Sequence, residues 1–156
     1  MEPKTERMQP SGKVFLVSGL WLIALGIYFM LLRSALLPED PAFIGSSLEA
    51  IRATIPGLER WLGHVFNVMG GFMIAVGAVT AFLAWRFLSR HEPGTFATLL
   101  VAGAASVALM SATNFLLHSN FRWLLLLPAL LWLVGLLCYL RENAASVRRV
   151  HMEGEA

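Results

Sequence analysis

The longest apolar stretch of the chain runs from Val65 to Leu88 and reads VFNVMGGFMIAVGAVTAFLAWRFL. Its 24 residues include one charged side chain, that of Arg86 near the end. A helix needs roughly 20 predominantly apolar residues to cross the hydrocarbon core of a bilayer. The stretch is therefore typical of a transmembrane helix.

Three further stretches have the same character. The four predicted spans are Val14–Leu32 (span 1), Val65–Leu88 (span 2, with an extension back to about residue 57), Thr95–Leu117 (span 3) and Trp123–Leu140 (span 4). The turns after spans 2 and 3 are short, and short turns join antiparallel neighbours. The sequence predicts one integral membrane domain over residues 1–156, an all-α, up-down four-helix transmembrane bundle with tails at 1–12 and 142–156.

The composition supports this class of protein. Of 156 residues, 57% are hydrophobic and 14% are charged, whereas a soluble domain is roughly 45–50% apolar and about 25% charged. These values exclude a disordered segment, a nucleic-acid-binding module and an ordinary soluble enzyme. The single cysteine, Cys138, excludes an intramolecular disulfide and a CxxC redox pair.

Basic residues predict the orientation, because Lys and Arg are enriched on the cytoplasmic side of membrane proteins. With the N-terminus inside, the cytoplasmic set is Lys4, Arg7, Lys13, Arg86, Arg90, Arg141, Arg148 and Arg149. The outer set is smaller and consists of Arg33, Arg52, Arg60 and Arg122. Both termini are predicted to be cytoplasmic.

The connection between spans 1 and 2 has a helical pattern of its own. Apolar residues recur at Ile44, Leu48, Ile51 and Ile55. Asp40-Pro41 is typical of a helix start, and Ser46-x-x-Glu49 offers a second one as a capping box. The pattern predicts one amphipathic helix over about 41–55, which either lies on the outer membrane surface or caps the bundle.

Small residues indicate which spans pack closely, since helices in lipid associate through small side chains and interhelical hydrogen bonds. Span 1 carries Gly19 and Gly26 on one face, and span 2 carries Gly71-xxx-Ala75 and Gly77-xxx-Ala81. Span 3 has alanines at 104, 108 and 112. Spans 2 and 3 are predicted to form the bundle centre, and the leucine-rich span 4 is predicted to be mostly lipid-facing. The same spacings also suit a homo-oligomer.

A few polar residues lie within spans 2 and 3, in the predicted outer third of the bilayer. An intramembrane polar residue is costly and therefore points to a function or to a packing contact. The candidate ligand-binding residues are His64, Asn67, Gly70, Gly71, Ser111, Asn114, His118, Arg60 and Arg122. His91 and His151 fall in the predicted cytoplasmic turn and tail, where solvation is expected.

Three interpretations of this set stay open. The favoured one is structural, with Asn67 and Asn114 acting as interhelical hydrogen-bonding groups. The second is a pocket for a lipid, a quinone or a similar apolar ligand with a polar head. The third is a b-type haem with His64 and His118 as axial ligands.

Several catalytic patterns are absent. The four spans contain no Asp or Glu, and the chain has no HExxH, Walker A or GxSxG motif. A two-histidine zinc site would need a third ligand. No catalytic residue and no metal site are predicted.

The order of features resembles that of small bacterial four-helix inner-membrane proteins of the DoxX-like type. The resemblance covers roughly residues 14–140. It consists of Leu37-Pro38-Glu39-Asp40-Pro41 after span 1, the amphipathic segment, and Gly70-Gly71 in span 2. It implies a location in the bacterial inner membrane and no established activity.

The sequence therefore predicts a multi-pass membrane protein without autonomous catalysis. Its partners are expected to be the lipid bilayer and either further copies of itself or a larger membrane complex, packed through spans 2 and 3. Binding of a lipid, quinone or haem is the alternative. No nucleic-acid partner is expected.

Overall fold

In a computed structural model, the described residues, 8–154, are helical and contain no strand. Four helices are long and apolar enough to cross a membrane. The elements are α1 (Pro10–Leu31), α2 (Glu39–Ile44), α3 (Leu48–Thr54), α4 (Leu58–Arg86), α5 (Thr95–Leu116) and α6 (Arg122–Gly154). Lys4 and Arg7 of the predicted cytoplasmic set lie outside the described residues, as do the side chains of Arg149 and His151.

The long helices correspond to the four predicted spans, with shifted ends. Pro10 opens α1, because proline lacks the N–H that the first turn of a helix leaves unpaired. At the other end of the chain, α6 continues beyond Leu140 to Gly154, so most of the predicted tail is helical. Within α5, Ala104–Ala108 form a π-helical turn.

The segment between α1 and α4 differs from its prediction. The single helix expected over 41–55 is wrong, because Gly45 takes a left-handed conformation (φ 75°) and ends α2. The next helix, α3, starts one residue later than the capping box suggested, with the Ser47 side chain accepting a hydrogen bond from the Ala50 N–H (3.1 Å). Of the predicted apolar stripe, Ile51 is buried, whereas Ile44 and Ile55 are exposed.

Glycines that recur every seventh residue bring α1 against α4. A Cβ atom at Gly19 would lie 2.6 Å from the carbonyl oxygen of Gly77, and one at Gly26 would lie 2.6 Å from that of Gly70. Since real Cβ atoms do not approach so closely, the two backbones can touch only where side chains are missing. The pairs along this glycine seam are Gly12 with Ala84, Gly19 with Gly77, and Gly26 with Gly70.

The seam also defines the direction and the hand of the pair. Partner numbers fall along α4 as they rise along α1, so the two helices run antiparallel. A straight helix drifts by about 20° for every seven residues, and a face with a seven-residue repeat therefore stays in contact only if the helices wrap around each other with a left-handed twist. The repeat thus specifies both the register and the supercoil.

A second face of α1 packs on α6. Phe15 is 0% exposed, and its ring meets Trp132 edge to face with centroids 5.3 Å apart. Gly135 leaves room for the Phe15 ring, because a Cβ there would lie 2.9 Å from the ring. Near the chain termini, the Glu142 carboxylate accepts hydrogen bonds from the backbone N–H and the hydroxyl of Ser11. Glu142 thereby caps the start of α1 from a neighbouring helix.

Trp132 also holds α5 in place. Its indole N–H donates to the carbonyl oxygen of Leu99 (2.9 Å), and Gly103 leaves space for its ring. Further along α5, the Ser111 hydroxyl donates to the carbonyl oxygen of Leu125 in α6 (2.7 Å). The contacts of α5 are therefore with α6.

These contacts place α1 and α6 at the centre of the described structure. The prediction that spans 2 and 3 form the centre is wrong, because α4 packs mainly on α1 and α5 packs mainly on α6. The prediction that span 4 is mostly lipid-facing misses one face of the helix. The leucines at 124, 127, 130, 133 and 137 are exposed, but α6 also carries a buried stripe of Pro128, Trp132, Gly135, Leu136 and Tyr139.

The glycine seam can be tested with two substitutions in α4. Gly77→Ala would place a Cβ 2.5 Å from the Gly19 carbonyl oxygen, and we expect this overpacking to lower the free energy of unfolding in detergent by about 1–3 kcal/mol. Gly63→Ala is the matched control, because a Cβ there meets nothing within 4 Å. We expect the control to be neutral or slightly stabilising, by up to about 1 kcal/mol. Equal losses for the two variants would contradict the seam.

Candidate helix-packing interface

The outward side of α4 carries a strip of small and polar residues, called here the α4 strip. Its members recur at three- and four-residue steps and therefore share one face of the helix. They are His64, Asn67, Gly71, Ala75 and Ala78. The other four members are exposed, whereas Gly71 is half-buried, and a Cβ at Gly71 would meet nothing within 4 Å. This face lies beside the glycine seam, at about 60–140° around the helix from Gly70.

Beside the α4 strip runs a second exposed line made of large apolar side chains. It includes Val65, Val68, Phe72 and Val79, of which Phe72 is 69% exposed. Bulky apolar side chains are what a lipid-facing helix surface requires. The exposed part of α4 is therefore divided into a line suited to lipid and a line suited to a close neighbour.

The depth of Asn67 makes the α4 strip notable. The 29 residues of α4 span about 43 Å, and a hydrocarbon core is about 30 Å thick. Asn67 lies five residues, or about 8 Å, from the helix midpoint at Phe72. A bilayer centred on α4 would therefore surround the Asn67 amide with hydrocarbon.

The polar groups of the strip have no partner among residues 8–154, since neither His64 nor Asn67 takes part in a hydrogen bond there. A carboxamide carries two N–H donors and an oxygen acceptor. Leaving such groups unpaired in an apolar environment is costly. The α4 strip therefore carries hydrogen-bond donors and acceptors, those of His64 and Asn67, that no described residue pairs with.

The other candidate residues are distributed over the fold. Gly70 lies in the glycine seam, where helix α1 occupies its surface. Ser111 is buried between α5 and α6. Asn114 is half-buried and donates to the carbonyl oxygen of Met110 in its own helix (2.9 Å).

His118 has a left-handed backbone (φ 52°), and its ring nitrogen lies 3.1 Å from the Leu116 carbonyl oxygen. Arg60 is exposed, whereas Arg122 is half-buried. No hydrogen bond within residues 8–154 joins the His64 and Asn67 side chains of α4 to those of Asn114 and His118 in α5. The structure therefore does not join the two polar sets into one hydrogen-bonded group.

A second small-residue face lies on α5. Ala104, Ala108 and Ala112 are all exposed, although the sequence marked them as packing residues. The reason is that α5 approaches α6 with the side that carries Leu99, Gly103, Val107 and Ser111. The alanine face is left free within the described chain.

Sequence reasoning missed a cluster where α1 ends. The Arg33 guanidinium lies over the Phe66 ring, 3.7 Å from its centroid. Burial lowers the pKa of Arg33, and the nearby Asp40 and Glu39 carboxylates oppose this shift. Glu39 in turn accepts a hydrogen bond from the buried Ser119 (3.1 Å). These contacts tie α2 to α1 and to the turn before α6. The acidic residues that follow Arg33 in the sequence were the available signal.

His91 also differs from its prediction as a solvated residue. It is half-buried in the turn between α4 and α5, with its ring centroid 5.0 Å from that of Tyr139. Its Nδ1 lies 3.1 Å from the Ser89 carbonyl oxygen. Its backbone is left-handed (φ 48°), a conformation that brings the ring back against α6.

Two searches give negative results. Across residues 8–154, no three His, Cys, Asp or Glu side chains lie close enough together to hold a metal ion. Compared with known proteins, the chain matches no family profile, no curated sequence and no solved structure.

Ser111 bonds to a neighbouring helix and Asn114 bonds within its own helix, so we expect substitutions at the two positions to lower the free energy of unfolding by different amounts. Ser111→Ala removes a bond between two helices and is expected to lower the free energy of unfolding by about 0.6 kcal/mol, and by at most about 1.7 kcal/mol. Asn114→Leu removes a bond within one turn of α5 and is expected to change it by less than about 0.5 kcal/mol. Denaturant titration in detergent measures both. A larger loss for Asn114→Leu would indicate an interhelical role for that amide.

Proposed function

We propose that this protein is a non-enzymatic multi-pass membrane protein that assembles with a second copy of itself through the α4 strip. The carrying observation is the exposed amide of Asn67, which lies within a line of small residues on a helix long and apolar enough to cross a membrane. Membrane helices associate where small residues let backbones approach and where polar side chains form hydrogen bonds between helices. The α4 strip offers both.

A second copy fits this strip better than a chemically different partner. The strip carries no formal charge that would call for an opposite charge across the contact. An asparagine amide donates and accepts, so it can pair with the same amide of another chain. In a two-fold dimer each residue near the axis faces its own counterpart, which would place the two Asn67 amides together.

The proposal includes a placement in the membrane. The four long helices cross the bilayer as an up-down bundle, and α2 and α3 lie at its outer surface. Both termini are cytoplasmic, and the membrane is the bacterial inner membrane. The exposed alanine face of α5 is available for a further contact in the same assembly.

Disulfide cross-linking tests the contact. In a Cys138→Ala background, we expect Asn67→Cys and Gly71→Cys each to give a covalent dimer in membranes treated with a mild oxidant. A disulfide requires Cα atoms about 4.4–6.8 Å apart, and small residues permit that approach. Val68→Cys and Phe72→Cys are the matched controls, because each is the next residue after a test position, at nearly the same depth, and lies on the large apolar line.

A binding measurement complements the cross-linking. Asn67→Leu is expected to weaken dimerisation in lipid about tenfold, because interhelical hydrogen bonds contribute about 1–2 kcal/mol in model peptides. The stability of the monomer is expected to be unchanged, since Asn67 has no partner within the described chain. Cross-linking that is equally efficient at Asn67, Val68, Gly71 and Phe72 would indicate random collision and would contradict the proposal.

A further inference from the structure

A cavity of about 310 Å³ opens between the start of α1 and the end of α4. Gln9 and Gly12 line it on the α1 side. Arg86, the last residue of α4, and Arg90, in the 3₁₀ turn that follows, line the other side. Gly12 faces α4 at the last position of the glycine seam, where a Cβ would lie 3.2 Å from the Ala84 carbonyl oxygen.

The charge of the lining is positive. Arg86 and Arg90 supply two guanidinium groups, and none of the described residues that line the cavity is acidic. Neither arginine takes part in an ion pair within residues 8–154. Each lies beside an aromatic ring, Arg86 at 5.5 Å from Trp85 and Arg90 at 5.3 Å from Phe87. Guanidinium groups that rest against rings keep their N–H edges free for a bidentate acceptor such as phosphate.

Gln9 adds an uncharged donor to the same cavity. Its Oε1 atom is buried and has no hydrogen-bond partner in the described chain. A half-turn of the terminal torsion exchanges the oxygen and the nitrogen of a carboxamide, so this buried position can present an N–H group instead.

The position of the cavity favours a lipid headgroup over a free phosphate ion as the source of the anion. It lies at the end of a spanning helix, where lipid headgroups meet the protein, and Trp85 at its edge is 65% exposed, as is typical of a residue at the membrane–water interface. Apolar Ala84 and Leu88 line the same cavity. A free phosphate ion needs no apolar wall, whereas a phospholipid has an apolar body next to its phosphate.

We infer that this cavity binds the phosphate group of an anionic phospholipid. Arg86 and Arg90 contact the phosphate oxygens, and the Gln9 amide donates a further hydrogen bond. This lipid site is separate from the α4 strip, because the cavity faces the seam between α1 and α4 and contains no residue of the strip. It adds a specific lipid site to a protein whose proposed function is self-association.

Native mass spectrometry of the full chain with defined lipids tests this site. Phosphatidylglycerol is the anionic probe and phosphatidylcholine is the zwitterionic reference. A basic residue near a membrane surface contributes roughly a fivefold preference for anionic lipid, so the double variant Arg86→Gln/Arg90→Gln is expected to reduce the preference about thirtyfold. Arg141→Gln/Arg148→Gln is the matched control, since it removes the same charge from exposed residues of α6 outside the cavity.

Comparing the two double variants distinguishes a specific lipid site from a general attraction of anionic lipid to a positively charged surface. A large loss for the cavity pair with little change for the control pair supports the inference, and equal losses overturn it. Gln9→Leu removes the amide without changing the net charge and is expected to weaken phosphatidylglycerol binding severalfold. An unchanged affinity in Gln9→Leu would exclude the amide from the site.

Competition with inorganic phosphate shows whether the cavity binds a phospholipid or a free phosphate ion. At millimolar concentration it is expected to leave phosphatidylglycerol bound. Displacement of the lipid by phosphate would overturn the assignment to a phospholipid. The cavity variants are also expected to keep the cross-link at Asn67→Cys, so a failure of this site and a failure of the proposed dimer give different results.

Discussion

The contact between the α1 and α4 backbones is the constraint on which the other features depend. Lipid tails are as apolar as leucine, so helices in a bilayer gain little by burying apolar side chains against one another and rely on close packing and hydrogen bonds instead. Glycines seven residues apart provide that packing at Gly19 and Gly26 of α1 and at Gly70 and Gly77 of α4. Since one face of α4 is committed to the seam, its polar face must turn outward.

The second consequence concerns the centre of the molecule. Because α1 uses adjacent faces for α4 and α6, it joins the two halves of the structure. Trp132 completes the second half, with its ring against Phe15 and its N–H on the Leu99 carbonyl oxygen. A buried indole N–H needs a partner, and this one finds it in α5. The leucines that dominate span 4 in the sequence are left for the surface.

The polar side chains then fall into two groups. Ser11, Ser111 and Trp132 have partners on neighbouring helices and are explained by the fold. Asn67, Gln9 and the pair Arg86 and Arg90 are not used in this way, and they carry the two proposals. Sequence reasoning found Asn67 because an amide within an apolar span is conspicuous. It missed the cavity because Gln9 and Arg86 are 77 positions apart, and only the seam brings them together.

The sequence by itself determined that the chain has four helices able to cross a membrane and that these spans carry no carboxylate, because hydropathy and charge are local properties. It also marked Gly19 and Gly26 as a packing face. Only the tertiary structure decided which neighbour each face meets. Gly70 and Gly71 are adjacent in the sequence and lie about 100° apart around the helix, yet Gly70 touches α1 and Gly71 faces outward. Composition cannot distinguish two neighbouring glycines, whereas the position of α1 does.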